Sequence, residues 1–251
     1  MEAAAAGLTM GIGYDCGVDV AEEVRSYGSA LVRGLVDRGV AVEIDARIRA
    51  NLARLGAVFP NYLTDASRNV FPISVAMADP SDATLPARLL EAAKTNVLSP
   101  DYITAEEFDR LRAVVVPVER IAKEIGPFAL ATNGISYARF EAARANSDYS
   151  SGFIHQDSVF ELHGLTAWIA LSPCGKDAPA LQFIRRKRRQ LLTTASPDAK
   201  QISPRRFFFW EWTKPIFEPG DVVLFDSYTV HGTNITRRMR GSRTSLDVRF
   251  M

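Results

Sequence analysis

Hydrophobic and polar positions divide the chain into two halves with different periods. From Asp19 to about Arg38, Val20, Val24, Leu31 and Leu35 recur at spacings that put them on one helical stripe, with Asp19 as a capping side chain and Gly39 as a stop. A second helix is predicted over Glu43 to Leu55. Pro60, Pro72, Pro80 and Pro86 break the stretch from Val58 to Leu85 into loops or short turns, and Leu85 to Val97 again has helical spacing. Thr104-Ala-Glu-Glu107 has the form of a capping box and opens a helix towards Gly126, with Pro117 as a potential kink.

Beyond Gly126 the pattern changes to short apolar and alternating runs. Strands are predicted at Phe128 to Thr132, Ile135 to Ala143, Thr166 to Leu171, Leu181 to Ile184, Phe207 to Trp212, Val222 to Phe225 and Arg243 to Phe250. Asn133-Gly134, Pro173-Cys-Gly175 and Pro219-Gly220-Asp221 supply turn chemistry between them. Helices first and many short strands afterwards predict an α+β protein whose C-terminal part is a β-sandwich or barrel. No internal repeat is present.

Composition narrows this picture without redirecting it. A chain of 251 residues supports one domain, 1–251, with a mainly helical part over 1–126 and a strand-rich core over 127–251. A net charge of +1 gives no reason to expect a polyanionic partner, and the one biased segment is Arg185-Arg-Lys-Arg-Arg189. No apolar run is long enough for a membrane span, and the N-terminal segment lacks the features of a signal peptide. The two cysteines, Cys16 and Cys174, are far apart and in no metal-like spacing, so a reducing, cytoplasmic setting is expected.

The chain has three histidines, and two of them sit in patterns with chemical content. Phe153-Ile-His155-Gln-Asp157-Ser places a histidine and a carboxylate at i and i+2; in an extended segment both would face the same way. They would be two of the three ligands of a two-histidine, one-carboxylate triad, which leaves metal positions open as non-heme Fe(II) oxygenases require. Such a match also arises readily by chance, as a loop histidine beside a solvated aspartate. More specific is Glu218-Pro-Gly220-Asp221-Val-Val-Leu-Phe225-Asp226, a tight turn feeding a buried strand, followed by Val230-His231-Gly232-Thr233. Gly232 would let another group approach the backbone beside His231. In Arg243-Thr-Ser245-Leu-Asp247-Val-Arg249-Phe250, alternation puts Arg243, Ser245, Asp247 and Arg249 on one face and an apolar set on the other. An arginine turned towards a cavity requires an anion, and guanidinium grips a carboxylate through two parallel hydrogen bonds; Ser245 would add a hydroxyl. The bland alternative is an edge strand with its polar face in water.

His155-Gln-Asp157, Thr166-Ala-Trp168-Ile-Ala-Leu, Gly220-Asp-Val-Val-Leu-Phe-Asp-Ser followed by Val230-His231-Gly, and Arg243 together resemble the phytanoyl-CoA dioxygenase (PhyH-like) family over roughly residues 128–250. The resemblance implies a double-stranded β-helix (jelly roll) with the N-terminal helices packed on one sheet. It implies His155, Asp157 and His231 as ligands of Fe(II), with 2-oxoglutarate and O2 as cosubstrates and succinate and CO2 as products. It further implies Arg243 on the distal carboxylate of 2-oxoglutarate, Thr233 joining it, and Trp168 lining the cofactor pocket. Asp157 keeps the carboxylate that related halogenases replace with a small residue, which points to hydroxylation or another oxygen-derived oxidation of a small molecule. One departure is plain: Phe183-Ile-Arg-Arg-Lys-Arg-Arg189 stands where family members show a Pro-Gly-containing stretch, so the substrate is not inferred.

Two other readings stay open on the sequence. The pair Arg243 and Arg249 also fits an AlkB-like nucleic-acid demethylase, with the basic run on phosphates; the modest net charge and the twelve-residue spacing from His231 to Arg243 fit the PhyH-like pattern better. The other is a metal-free β-sandwich binding module. His163 reads as a loop or pocket-rim residue, and the Arg185–Arg189 run as a solvated loop or a site for an anionic group of the substrate.

Overall fold

The computed structural model describes residues 19–58, 70–71, 83–84, 87, 105–141, 154–160, 164–187, 190–192, 202 and 210–251. Asp19 caps the first helix, α1 (Val20–Tyr27), by accepting from the Glu22 amide at 3.0 Å. The predicted helix to Arg38 does not form. Gly28, in the left-handed region at φ 78°, closes α1 by donating its amide to the Val24 carbonyl at 2.9 Å. Ser29–Val32 then becomes a strand, β1. α2 spans Arg38–Val58, so Gly39 lies in its first turn rather than past a helix end. After the short β2 (Val70–Phe71), α3 runs Ala105–Ile125 and continues through Pro117. The predicted helix over Leu85 to Val97, apart from the helical Ala87, and the Thr104 cap fall outside the described residues.

β3 (Leu130–Glu141) merges two predicted strands. Its register against the neighbouring strand shifts between Leu130 and Ile135, so Asn133-Gly134 sits in an irregularity within one strand instead of a turn between two. A one-turn 3-10 helix (Asp157–Phe160) follows, then β4 (Leu165–Ala170), β5 (Ala180–Phe183), β6 (Val222–Asp226), β7 (His231–Asn234) and β8 (Ser242–Phe250). Strand structure predicted over Phe207 to Trp212 lies mostly outside the described residues.

Six strands form one antiparallel sheet in the order β1-β6-β4-β8-β3-β2, and β5 pairs with β7 in a second, two-stranded sheet. Strand parity decides the layers. Leu165, Ala167 and Ile169 of β4, Val222 and Leu224 of β6, and Leu246, Val248 and Phe250 of β8 pack in one core with Val24, Ile44, Ile48, Leu111, Val114 and Val118 from the three helices. The opposite face puts Trp168, Val223 and Phe225 in a second core with Leu181 and Phe183 of β5. The apolar face of β8 therefore meets the helices, as its alternation requires, and its polar face turns towards the space beside β5 and β7. The result is a mixed fold of helices and antiparallel sheet, consistent with a cupin-like architecture.

Candidate metal centre

β6 ends in a tight turn that delivers His231. The Thr229 hydroxyl donates to Asp226 Oδ1 at 2.9 Å and the Thr229 amide to the Asp226 carbonyl at 3.1 Å. The turned chain presents the Thr229 carbonyl to His231 Nδ1 at 3.0 Å. A carbonyl only accepts, so Nδ1 carries the proton and Nε2 keeps its lone pair for another partner. His231 is buried, and burial first, then the charge of His155, pulls its imidazolium down to about 4, against the opposing pull of Asp157. The ring is neutral in the neutral pH range, the form a metal needs.

His155 is positioned by the backbone. Its amide donates to the His231 carbonyl at 2.9 Å and its carbonyl accepts from the His231 amide at 3.0 Å, an isolated two-residue bridge that leaves the two rings tilted, with centres 4.2 Å apart. Asp157 does not reach the site by strand alternation as the sequence pattern suggested. The chain leaves the bridge at Gln156, whose buried side chain donates to the Gln190 carbonyl at 3.0 Å and accepts from the Leu192 amide at 2.8 Å. It then enters the 3-10 turn that starts at Asp157.

The three side chains converge. One ligand atom from each of His155, Asp157 and His231 lies within 4.8 Å of the others. Asp157 Oδ1 is 3.6 Å from His155 Nε2 and 3.7 Å from His231 Nε2, and it accepts no hydrogen bond among the described residues. Oδ2 accepts from Thr166 Oγ1 at 2.8 Å and from Arg249 Nη1 at 2.9 Å. Burial pushes the Asp157 carboxyl up, but the imidazole of His155, then His231 and Arg249, outweigh it and hold the group well below the usual carboxylate range. Two imidazoles and an ionised carboxylate with one orphaned oxygen are a donor set that fits a divalent transition metal. Neither Arg249 nor Thr166 as a partner of Asp157, nor Thr229 as the partner of His231, is foreseeable from the sequence; only the shared face of Arg243 and Arg249 hints at the first.

The second group gathers around Arg243, which is 3% exposed. Its guanidinium carbon lies 5.1 Å from the centre of the Trp168 ring, which in turn packs on Phe217 at 4.8 Å. Burial drags the Arg243 pKa down, with Cys174 and Asp247 opposing. Ser245, two residues on, is fully buried, and its hydroxyl has no hydrogen-bond partner among the described residues. Trp168 is two residues along β4 from Thr166 and shares its face, so the residue under the arginine head and the residue that binds Asp157 lie on one side of the sheet. Thr233 follows His231 by two residues on β7 and shares its face, half-buried. Asp247, between Arg243 and Arg249 on β8, is pushed up by burial against the pull of both arginines. His163 lies outside the described residues. Within the described part of the basic run, Arg185 pairs with Glu23 and lies over the Tyr27 ring, and Arg186 lies over Trp210 at 3.8 Å.

Comparison by sequence finds no matching family model and no matching curated protein. Comparison by structure does find similar folds. The non-heme α-ketoglutarate-dependent epimerase SnoN from nogalamycin biosynthesis superposes with a TM-score of 0.56 at 15% identity, over 92% of this chain and 81% of that one. SnoN has also been seen with Fe3+, α-ketoglutarate and nogalamycin RO. The carbocyclase SnoK of the same biosynthesis gives 0.55 at 16% identity, covering 94% and 84%. HygX from Streptomyces hygroscopicus, solved with nickel and 2-oxoglutarate, gives 0.53 at 17% identity, covering 94% and 87%. The chain shares their fold.

Proposed function

We propose that this chain is an Fe(II)- and 2-oxoglutarate-dependent dioxygenase, PhyH-like in its motifs and built on a double-stranded β-helix core, that acts on a small molecule. The observation that carries the reading is Asp157 Oδ1, a buried carboxylate oxygen with no hydrogen bond among the described residues, faced by the Nε2 atoms of two histidines. His155, Asp157 and His231 would hold the metal. Iron bound there would supply the activation of O2 coupled to decarboxylation of 2-oxoglutarate, with succinate and CO2 released.

The protein's part is grip and dryness. Arg243 holds the distal carboxylate through a bidentate pair, and Ser245 and Thr233 add hydroxyls to the same group. Trp168 and Phe217 wall the arginine off from water, which strengthens the pairing. SnoN and SnoK are an epimerase and a carbocyclase, so the shared fold supports outcomes other than hydroxylation. Hydroxylation of an unactivated carbon is the outcome proposed here, because Asp157 retains the carboxylate ligand.

The metal assignment is tested by anaerobic titration. Wild type should take up one Fe(II), or one Mn(II) as a redox-inert substitute. His231→Ala should lose that site and produce no succinate. Full activity in the variant would sink the assignment.

A further inference from the structure

We propose that Arg249 and Thr166 brace the outer oxygen of Asp157, so that the carboxylate offers a bound divalent cation one oxygen, Oδ1, and never both. The inference rests on the reading of His155, Asp157 and His231 as metal ligands.

Oδ2 receives the Thr166 hydroxyl at 2.8 Å and the Arg249 guanidinium at 2.9 Å, which fills its two lone-pair directions. Arg249 Nη1 also stands 3.4 Å from Thr166 Oγ1, so the three groups close a triangle. Rotating the carboxylate to chelate a metal through both oxygens would break a charge-assisted hydrogen bond in a buried site. The braces are themselves fixed, because Thr166 of β4 and Arg249 of β8 are cross-strand partners and project from the same face. Asp157 has no such support of its own. It opens a four-residue 3-10 helix, too short an element to lock a side chain, and its orientation must come from outside.

Arg249 reaches the carboxylate from a small cleft that it lines with Gly164, Leu165, Thr166, Ser227 and Phe250, and its side chain stays 27% exposed. Its charge is therefore only partly desolvated. That charge repels a divalent cation, so Arg249 helps metal binding only through the position it imposes on Asp157. It is a positioning residue.

The test uses full-length protein loaded with Mn(II), read by titration and by the crystal structure of the loaded state. In wild type, Asp157 should bind through Oδ1 alone, with Oδ2 still on Thr166 and Arg249. Arg249→Gln and Thr166→Val should each weaken Mn(II) binding, by roughly 10–100-fold for the arginine, as the loss of an outer partner of a ligand typically does. Asp157 should then swing or chelate through both oxygens. Thr166→Ser keeps the hydroxyl and should return to wild-type affinity and geometry. Should Arg249→Gln fail to fold, the Val and Ser variants of Thr166 decide the matter by themselves. Both Asp157 oxygens on the metal in wild type, or variants that bind Mn(II) as tightly as wild type, would overturn the brace while leaving the triad standing. A wild-type protein that takes up no metal overturns both.

Discussion

At the scale of single residues, the pocket around Arg243 makes a strong demand. A guanidinium 3% exposed has given up its water, and a carboxylate pairing with it would regain most of that loss. Arg243→Ala should therefore weaken 2-oxoglutarate binding by about 2–5 kcal/mol, read as a steep rise in its KM. Ser245→Ala and Thr233→Ala each remove a neutral hydroxyl and should cost about 1 kcal/mol apiece. An unchanged KM in the arginine variant would place the anchor elsewhere, at Arg249 or another residue. The same dry surroundings push the Cys174 thiol up to about 12, through burial first, with Arg243 pulling the other way and Asp221 and Glu218 adding to the rise. Cys174 is a packing residue against this pocket, since the thiolate that would make it reactive does not form near neutral pH.

Elements take their places through a few backbone contacts that tolerate no side chain. Gly220 opens the turn into β6 at φ 93°, donates to the Ala170 carbonyl at 2.9 Å and accepts from the Val36 amide at 3.1 Å. It thus ties β4, β6 and the connection between β1 and α2 together. A Cβ there would sit 2.2 Å from the Val36 carbonyl oxygen. Gly220→Ala should lower stability by at least about 2 kcal/mol, combining left-handed strain with the displacement of that connection. A denaturant midpoint equal to wild type would show that the turn relaxes without cost. The neighbouring Asp221 reinforces the turn, accepting from the Glu218 amide at 2.9 Å, the Gly34 amide at 3.0 Å and Arg33 at 2.6 Å. β6 is the strand from which the His231 turn departs, so errors here would propagate to the candidate metal centre.

Across the whole molecule, the N-terminal segment and the basic run are joined. Arg186 donates its amide to the Tyr27 carbonyl at 3.1 Å, Arg185 pairs with Glu23, and Arg185 and Lys187 both lie over the Tyr27 ring. The first residues after β5 thereby fasten the small sheet to α1 on the far layer. The Glu23–Arg185 pair is mostly shielded from solvent at both side chains. A double-mutant cycle with Glu23→Ala and Arg185→Ala should reveal a coupling of about 1 kcal/mol in thermal unfolding. Purely additive effects would mean that the pair is incidental to the docking. Neutralising the run to probe substrate recognition will disturb this joint through Arg185, so Arg186 and Arg188 are the positions to vary for that purpose.

What the sequence by itself determined is the part set by local pattern. Period-2 alternation in Arg243 to Phe250 fixed which side chains of β8 meet the helices, and Asp19 announced the start of α1 through its capping oxygen. The apolar run Val222 to Phe225 behind Pro219-Gly220 marked β6, and His231 was marked as the residue delivered beyond it. Other features depended on partners distant in the chain. Ser29–Val32 reads as the continuation of a helix until β6 offers it an edge to pair with, and Asn133-Gly134 reads as a turn between two strands until β8 runs alongside both of its flanks. The convergence of His155, Asp157 and His231 is also tertiary. An i, i+2 pattern suggested a strand, whereas a two-residue bridge to His231 and a 3-10 turn accomplish the same end. Which oxygen of Asp157 is left open was decided by Arg249, 92 residues away in the chain. Hydrogen bonds between side chains on different strands depend on register and fold, and no local pattern encodes them.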